Sequence, residues 1–146
     1  MEKDVSVAIT LEKANQIVDA ALARSSAAGY RPMAVVVLDG AGQVRTAQRQ
    51  DGATALRTDI ATGKAWAAVM MGARSRVLTD RAKELPAFFN ALAATGQGRF
   101  IPQTGAVLIK DSEGRTLGAV GASGGTGDED EAICIAGVEA AGLVAA

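Results

Sequence analysis

The chain has 146 residues, 49% of them hydrophobic, and this size predicts a single domain over residues 1–146 with a core of its own. Its 15 basic residues nearly balance 16 acidic ones, and the net charge of -1 offers no general attraction to nucleic acid or to an anionic membrane. The sequence has no histidine, which excludes Ser-His-Asp triads, Cys-His dyads and His-ligated metal as unaided chemistry of one chain. We therefore expect no nucleic-acid or membrane partner, and acid-base chemistry that depends on Asp, Glu, Lys, Tyr or Cys.

Cysteine usage and the amino-terminal sequence predict the compartment. The one cysteine, Cys134, cannot form an intrachain disulfide, and the charged segment Met1–Asp4 has no apolar signal core. We expect a cytoplasmic protein. Alanine and glycine are abundant, and small residues of this kind let elements pack closely while leaving apolar faces to be covered by association, so we also expect a homo-oligomer.

The first part of the chain predicts a helix followed by a β-hairpin. Thr10 can cap a helix that begins at the next residue and is ended by Gly29, with apolar residues at the spacing of one helical face. A valine-rich run over 33–38 is typical of a strand buried on both faces, and an alternating run over 43–50 follows the turn at 39–42. The two runs predict antiparallel partners.

The remaining chain repeats this order with a less regular segment in between. Thr54 can cap a helix that extends to about Met71, and short helical turns are predicted over 79–85 and 86–94. A second hairpin over 105–122 has the same plan as the first, an apolar strand, an acidic residue, a glycine turn and an arginine-bearing strand. A last helix over about 129–143 is apolar nearly all round, which predicts burial.

The most informative feature is the glycine-rich corner between the last strand and the last helix. Glycines at such a corner allow positive φ and lack the β-carbons that would hold a ligand away, while the first amides of the helix point outward as donors. The residues predicted to bind a ligand there are Ser123, Gly124, Gly125 and Thr126. The same pattern is also typical of a plain strand-to-helix turn whose acids complement the helix dipole.

A second group of polar residues follows the first hairpin. Arg49 ends the hairpin, Asp51 lies at its exit, and Lys64 lies about three turns into the next helix. A guanidinium and an ammonium near free amides would hold a carboxylate or phosphate, which predicts Arg49 as a binding residue. The alternative is an Arg-Asp pair that closes a turn and a lysine that extends from an exposed face.

Asp128 and Glu131 stand three residues apart at a helix start, where both carboxylates can share one face and reach a hard cation. Two carboxylates supply too few ligands for one chain, so no metal site is predicted. Cys134 lies among isoleucines in mid-helix, which predicts a core residue rather than a nucleophile. The Gly-x4-Gly-Lys-Ser/Thr spacing is missing, which excludes a phosphate-binding loop of that kind.

With these residues in place, the chain resembles the GlcG/HbpS-like family, also described as haem-degrading or haem-binding domains. The resemblance extends from about Ile9 to Leu143, and the carboxy-terminal glycine pattern is its most specific part. The matching motifs are Leu11-x-x-Ala14, Val35-Val36-Val37-x-Asp39, Arg49-x-Asp51-Gly52-Ala53, Lys64-Ala65, and Gly118 to Thr126 followed by Asp130-Glu131.

The resemblance implies an α/β (α+β) domain with a central antiparallel five-stranded sheet flanked by helices, profilin-like, that assembles into dimers and often octamers. The patterns above supply four strands, and a fifth is expected over 5–9 or over 100–103. The resemblance also implies haem as a cofactor. Members that ligate haem are expected to use a good axial donor, commonly histidine. Without histidine, the candidate donors are the lysines, Tyr30, Cys134, Met33 and Met70.

Three functions are consistent with the sequence. The first is a cytoplasmic binding protein that holds a tetrapyrrole or another small anionic ligand near the two glycine corners. The second is a cofactor-free catabolic isomerase, deaminase or hydrolase acting on a small carboxylate. In that enzyme Arg49 anchors the substrate and the catalytic proton carrier is Asp51, Glu131 or Lys64. The third is a purely structural oligomer subunit.

Overall fold

The computed structural model describes residues 8–146, which form a sheet with helices on both faces. The elements in chain order are α1 (Leu11–Ala28), β1 (Ala34–Asp39), β2 (Val44–Arg49), α2 (Leu56–Met71), α3 (Ser75–Glu84), α4 (Pro86–Thr95), β3 (Ala106–Lys110), β4 (Thr116–Ser123), α5 (Gly127–Ala140) and β5 (Val144–Ala145). None of these helices is both long and apolar enough to cross a membrane.

The sheet has five strands in the order β2-β1-β4-β3-β5, and every neighbouring pair is antiparallel. The five-stranded antiparallel sheet is therefore confirmed, but its fifth strand is Val144–Ala145, paired with the end of β3. The expectation of a strand over 100–103 was wrong, and residues 5–7 of the other candidate lie outside the described part of the chain. A strand of two residues is too short to show the alternation of apolar and polar residues by which strands are predicted.

The core is divided between the two faces of the sheet because successive side chains of a strand point to opposite sides. Val35 and Val37 of β1 face one side, where they join residues of α1 and α5. Val36 and Leu38 face the other side and pack against α2. This two-sided burial explains why the run over 33–38 is continuously apolar.

The two hairpins repeat one turn. Asp39 Oδ1 accepts hydrogen bonds from the amides of Ala41 and Gln43 at 2.9 and 3.0 Å. Asp111 Oδ1 accepts equivalent bonds from the second and fourth residues after it, both at 2.9 Å. Gly42 and Gly114 take positive φ angles of 80° and 81° at the same place in each turn. The strand and turn signals therefore predicted both hairpins correctly.

The helix starts differ from the sequence prediction in informative ways. Thr10 caps α1 as expected, since its hydroxyl accepts from the Lys13 amide at 3.2 Å. The Thr54 hydroxyl does not cap α2, which begins at Leu56 after Ala55. Thr54 instead contributes its backbone carbonyl, which accepts a hydrogen bond from the Arg57 amide. The last helix, α5, begins two residues earlier than predicted, at Gly127, because Thr126 is its cap.

Close approach of α2 to β4 depends on Gly121. A Cβ atom at this residue would collide with the Ala61 carbonyl oxygen and lie 3.0 Å from the Ala65 amide nitrogen. The absence of a side chain therefore lets the backbone of α2 rest directly on the strand. This contact fixes the helix that carries three of the site residues described next.

Candidate functional site

A cavity of about 460 Å³ lies between α2, the segment before β3 and the corner that joins β4 to α5. Its walls are mostly polar. They are formed by Arg57, Ile60, Lys64, Gln103, Thr104, Ser123, Gly125, Thr126, Gly127, Asp128 and Asp130. Of the residues predicted to form a site, the structure brings four to this cavity, namely Lys64, Ser123, Gly125 and Thr126.

Lys64 and Asp130 form a buried ion pair in the cavity wall. Lys64 Nζ lies 3.0 Å from Asp130 Oδ2 and also donates to the Ala122 carbonyl at 3.1 Å. Lys64 is 5% exposed and Asp130 is 2% exposed. Burial raises the pKa of the Asp130 carboxyl above its usual value, and the positive charge of Lys64 opposes that rise. The alternative of an exposed lysine is therefore wrong, and Asp130 is a site residue that sequence reasoning missed.

Arg57 is the second cationic residue of the cavity, and it was also missed. Its Nη1 donates to Ser123 Oγ at 3.3 Å, and the side chain is half-buried. Arg57, Ile60 and Lys64 follow a spacing of three and four along α2, so all three lie on the face that lines the cavity. That spacing was the signal in the sequence that could have identified Arg57.

The glycine corner uses most of its own donors internally. Gly125 N donates to Asp130 Oδ1 at 3.0 Å. Thr126 and Glu129 form a reciprocal capping box, with bonds of 3.0 and 3.1 Å. Gly124 does not line the cavity, and its φ of 151° and missing Cβ serve close packing against Pro32. The corner therefore shapes the cavity wall, and most of its amides serve the fold rather than a free anion site.

Arg49 and Asp51 do not line the cavity. Arg49 is exposed at the end of the edge strand β2, and its Nη1 donates to the Ala53 carbonyl at 2.5 Å. Asp51 is exposed in the turn that follows. The contact of Arg49 is thus with a backbone carbonyl, the Arg49–Asp51 ion pair of the alternative interpretation is not found among the described residues, and both residues are separate from Lys64.

Glu131 is turned away from the cavity toward the start of α3. Arg76 lies between Asp128 and Glu131 and bonds to both, with its Nε 3.2 Å from each Glu131 oxygen. These two carboxylates raise the pKa of the Arg76 guanidinium. Within residues 8–146 no cluster of three or more acidic or Cys residues could hold a metal ion. The two acids share a face as predicted, but their partner is an arginine.

The candidate axial donors for haem other than lysine lie outside the cavity. Cys134 is fully buried, its Sγ lies 3.6 Å from the Gly105 carbonyl oxygen, and burial raises the pKa of its thiol. Tyr30 and Met33 pack in the core on the α1/α5 side of the sheet. Met70 is exposed and close to Gly42. Lysine is the one donor type of that set in the cavity wall, and Lys64 Nζ is already bound to Asp130 and Ala122.

Comparison with known proteins identifies the family. The family described as haem degrading protein, HbpS-like, matches residues 9–139. The chain belongs to this HbpS-like family. An uncharacterized 15.0 kDa protein from the dhaT-dhaS intergenic region of Citrobacter freundii is 31% identical over 131 residues, which cover 89% of this chain and 90% of that protein.

Several solved structures, one of them of HbpS itself, share the fold. The Klebsiella pneumoniae protein ORFY superposes with a TM-score of 0.84 at 27% identity, over 97% of each chain. A PduOC complex with haem gives 0.82 at 25% identity, over 93% of this chain and 96% of that one. A double mutant of Streptomyces reticuli HbpS gives 0.79 at 26%, over 95% and 89%. The resemblance and the fold class predicted from the sequence are both confirmed.

Proposed function

We propose that this HbpS-like protein binds a small carboxylate in the cavity between α2 and the β4–α5 corner. The observation that carries the proposal is the position and hydrogen bonding of Arg57. Its guanidinium lies in the cavity wall, and among residues 8–146 it bonds to the Ser123 hydroxyl and takes part in no ion pair. A half-buried guanidinium with donors to spare is suited to a carboxylate, which can accept two parallel hydrogen bonds from it.

The other charges of the cavity are already compensated. Lys64 is paired with Asp130, and Asp128 is paired with Arg76. Arg57 therefore supplies the positive charge that remains for a ligand. The side chains of Gln103, Thr104 and Thr126 add neutral hydrogen-bonding groups to the same walls. These features support an anion with further polar groups rather than an apolar ligand.

The donor set of the cavity does not fit ligation of haem iron. No His, Tyr, Met or Cys is among the residues that form its walls, and the one lysine is held by Asp130. A relative binds haem in a PduOC complex. For this chain we propose recognition of the carboxylate alone, so that a tetrapyrrole would bind through its propionates and without an axial ligand from this cavity.

Calorimetric titration with acetate, lactate and succinate tests the proposal. Replacing Arg57 by Ala should cost about 1.5–3 kcal/mol, the usual value for a hydrogen bond to a charged group, which is a loss of roughly 10- to 150-fold in affinity. Arg49→Ala is the matched control, because Arg49 lies outside the cavity, and its affinities should equal those of the wild type. Equal affinities in the Arg57→Ala protein would refute the assignment of this cavity.

Native mass spectrometry and absorbance spectra of the same samples with haemin test whether this chain ligates haem iron. We expect no sharp Soret band from a stoichiometric adduct. A six-coordinate haem spectrum would contradict the donor set described above and would direct attention to Tyr30, Cys134 and the methionines.

We also propose that the protein is a homo-oligomer. Large apolar side chains remain exposed in α4 and at the junction of α3 and α4, where Phe88 is 53% and Leu85 is 54% exposed. Covering such side chains by association would remove apolar surface from water. A mass of one subunit at micromolar concentration would contradict this proposal.

A further inference from the structure

Lys64 presents a primary amine in the wall of the cavity where the anion is proposed to bind. An ammonium has three donors, and the described contacts of Nζ use two of them, for Ala122 and Asp130. Space for the amine is created by Gly105, whose φ is 140° and where a Cβ would lie only 2.7 Å from Nζ. The chain thus has a glycine next to this amine, at a φ that residues with side chains rarely adopt.

A buried ion pair is not an efficient way to stabilise a fold. The desolvation of two charges offsets most of their attraction, and well-packed apolar side chains of similar volume are often as stable or more stable. The Lys64–Asp130 pair nevertheless lies in the cavity wall, next to the space that a ligand would occupy. Its location favours a role toward a ligand over a role in packing.

The two cationic groups of the cavity both form hydrogen bonds at the carboxy-terminal end of β4. Arg57 contacts the Ser123 side chain and Lys64 contacts the Ala122 carbonyl, and successive residues of a strand are about 3.3 Å apart. A ligand whose carboxylate is bound by Arg57 would therefore place its next carbon atoms toward Lys64. In a 2-oxo acid, the carbon bonded to the carboxylate is an electrophilic carbonyl.

From this juxtaposition we infer that the protein binds 2-oxo acids and that Lys64 forms an imine with them. The inference rests on the proposed function, because Arg57 holds the carboxylate in both. The Lys64 ammonium transfers a proton to the Asp130 carboxylate, and the neutral amine adds to the carbonyl carbon to form a C–N bond. The resulting carbinolamine loses its oxygen as water, with the proton from Asp130, and a protonated imine remains. The balance is one ammonium plus one ketone giving one iminium plus one water.

Asp130 is suited to this proton transfer. It accepts hydrogen bonds from both the Lys64 amine and the Gly125 amide, so it is held in place as the proton moves. Burial raises the pKa of its carboxyl, which brings the acid closer to the lysine in proton affinity. Asp130 thus serves as the proton acceptor and, in the dehydration step, as the proton donor.

Reductive trapping tests the inference directly on the wild-type protein. The protein is incubated with pyruvate and sodium cyanoborohydride, which reduces an imine to a stable secondary amine, and the modified lysine is located by peptide mass mapping. We expect Lys64 to be modified at least about tenfold faster than the exposed Lys83, because bound pyruvate holds the carbonyl next to the amine. Acetate, which offers the carboxylate without the ketone, should slow modification of Lys64 alone.

Variants separate the chemical step from binding. Lys64→Arg keeps a positive charge beside Asp130 but cannot form an imine, so trapping at this residue should vanish. The matched control Lys110→Arg, at the end of β3 and outside the cavity, should trap pyruvate at Lys64 at the wild-type rate. Circular dichroism of each variant checks whether the fold is retained.

The outcomes of trapping and calorimetry distinguish the two proposals. Pyruvate that binds without modifying Lys64, or that modifies Lys64 no faster than Lys83, overturns the imine and leaves the carboxylate site standing. Absence of both pyruvate binding and the Lys64 adduct overturns both. Selective modification of Lys64 that acetate suppresses supports both.

Discussion

Replacing Lys64 by Met removes the ammonium and leaves the Asp130 carboxylate buried, with the Gly125 amide as its remaining hydrogen-bond partner among the described residues. Breaking a buried pair in this way costs about 3–5 kcal/mol, because one charge is left without compensation. A penalty of this kind is expected because Asp130 is 2% exposed, although the positive charge of Arg57 in the same cavity wall still acts on its carboxylate. At roughly 2–4 °C per kcal/mol for a domain of this size, the midpoint of thermal unfolding should fall by about 6–20 °C.

The penalty should depend on pH in a defined direction. Burial already raises the pKa of Asp130 in the folded protein, and loss of Lys64 should raise it further. A carboxyl whose folded pKa lies above its unfolded pKa destabilises the fold as pH rises through the folded pKa. That cost disappears below the unfolded pKa. The Lys64→Met protein should therefore regain stability relative to wild type as the pH falls from about 7 toward about 4.

Urea unfolding followed by far-ultraviolet circular dichroism measures both effects. The double variant Lys64→Met/Asp130→Leu removes both charges and should be considerably more stable than Lys64→Met alone. A Lys64→Met protein as stable as wild type at neutral pH would refute the buried pair. A double variant as unstable as the single one would show that the loss arises from packing rather than from the lone carboxylate.

Three further variants and probes test the scaffold around the site. Gly121→Ala should displace α2 from β4 and lower the free energy of unfolding by about 1–3 kcal/mol, whereas Gly40→Ala, where a Cβ meets nothing within 4 Å, should unfold like wild type in urea. Thr126→Ala removes the cap of α5 and should cost about 1 kcal/mol in the same assay, with no loss contradicting the capping box. The Cys134 thiol should react with a disulfide reagent such as DTNB only after urea unfolding, because burial raises its pKa, and rapid labelling of the native protein would disprove that burial.

The elements that could be predicted from the sequence are those with a strong local signal. Thr10 and Gly29 mark the ends of α1 because capping depends on neighbouring residues. Both hairpins follow from an acidic residue and a glycine placed between apolar runs. Thr54 satisfied the same capping rule and failed, because the chain enters α2 through a turn that uses its carbonyl instead.

The site was predictable only in part, since its defining contact is not local. Lys64 and Asp130 are 66 residues apart, and nothing in the spacing around either one specifies the other. An isolated lysine on a helix is usually exposed, so the local interpretation pointed away from burial. Arg49 is the reverse case, because a charged residue beside a glycine turn resembles a binding residue, whereas its guanidinium lies outside the cavity and bonds to the Ala53 carbonyl.

The long separation between the two halves of the site affects the order of events during synthesis. Arg57 and Lys64 emerge from the ribosome well before β4 and α5, which supply Ser123 and Asp130. Helix α1 can pack fully only after α5 has been synthesised, because these two helices contact each other although they are far apart in the sequence. Contacts of such long range form late in folding. A chain that ends before β4 and α5 therefore lacks one side of the candidate cavity, so formation of the cavity requires completed synthesis.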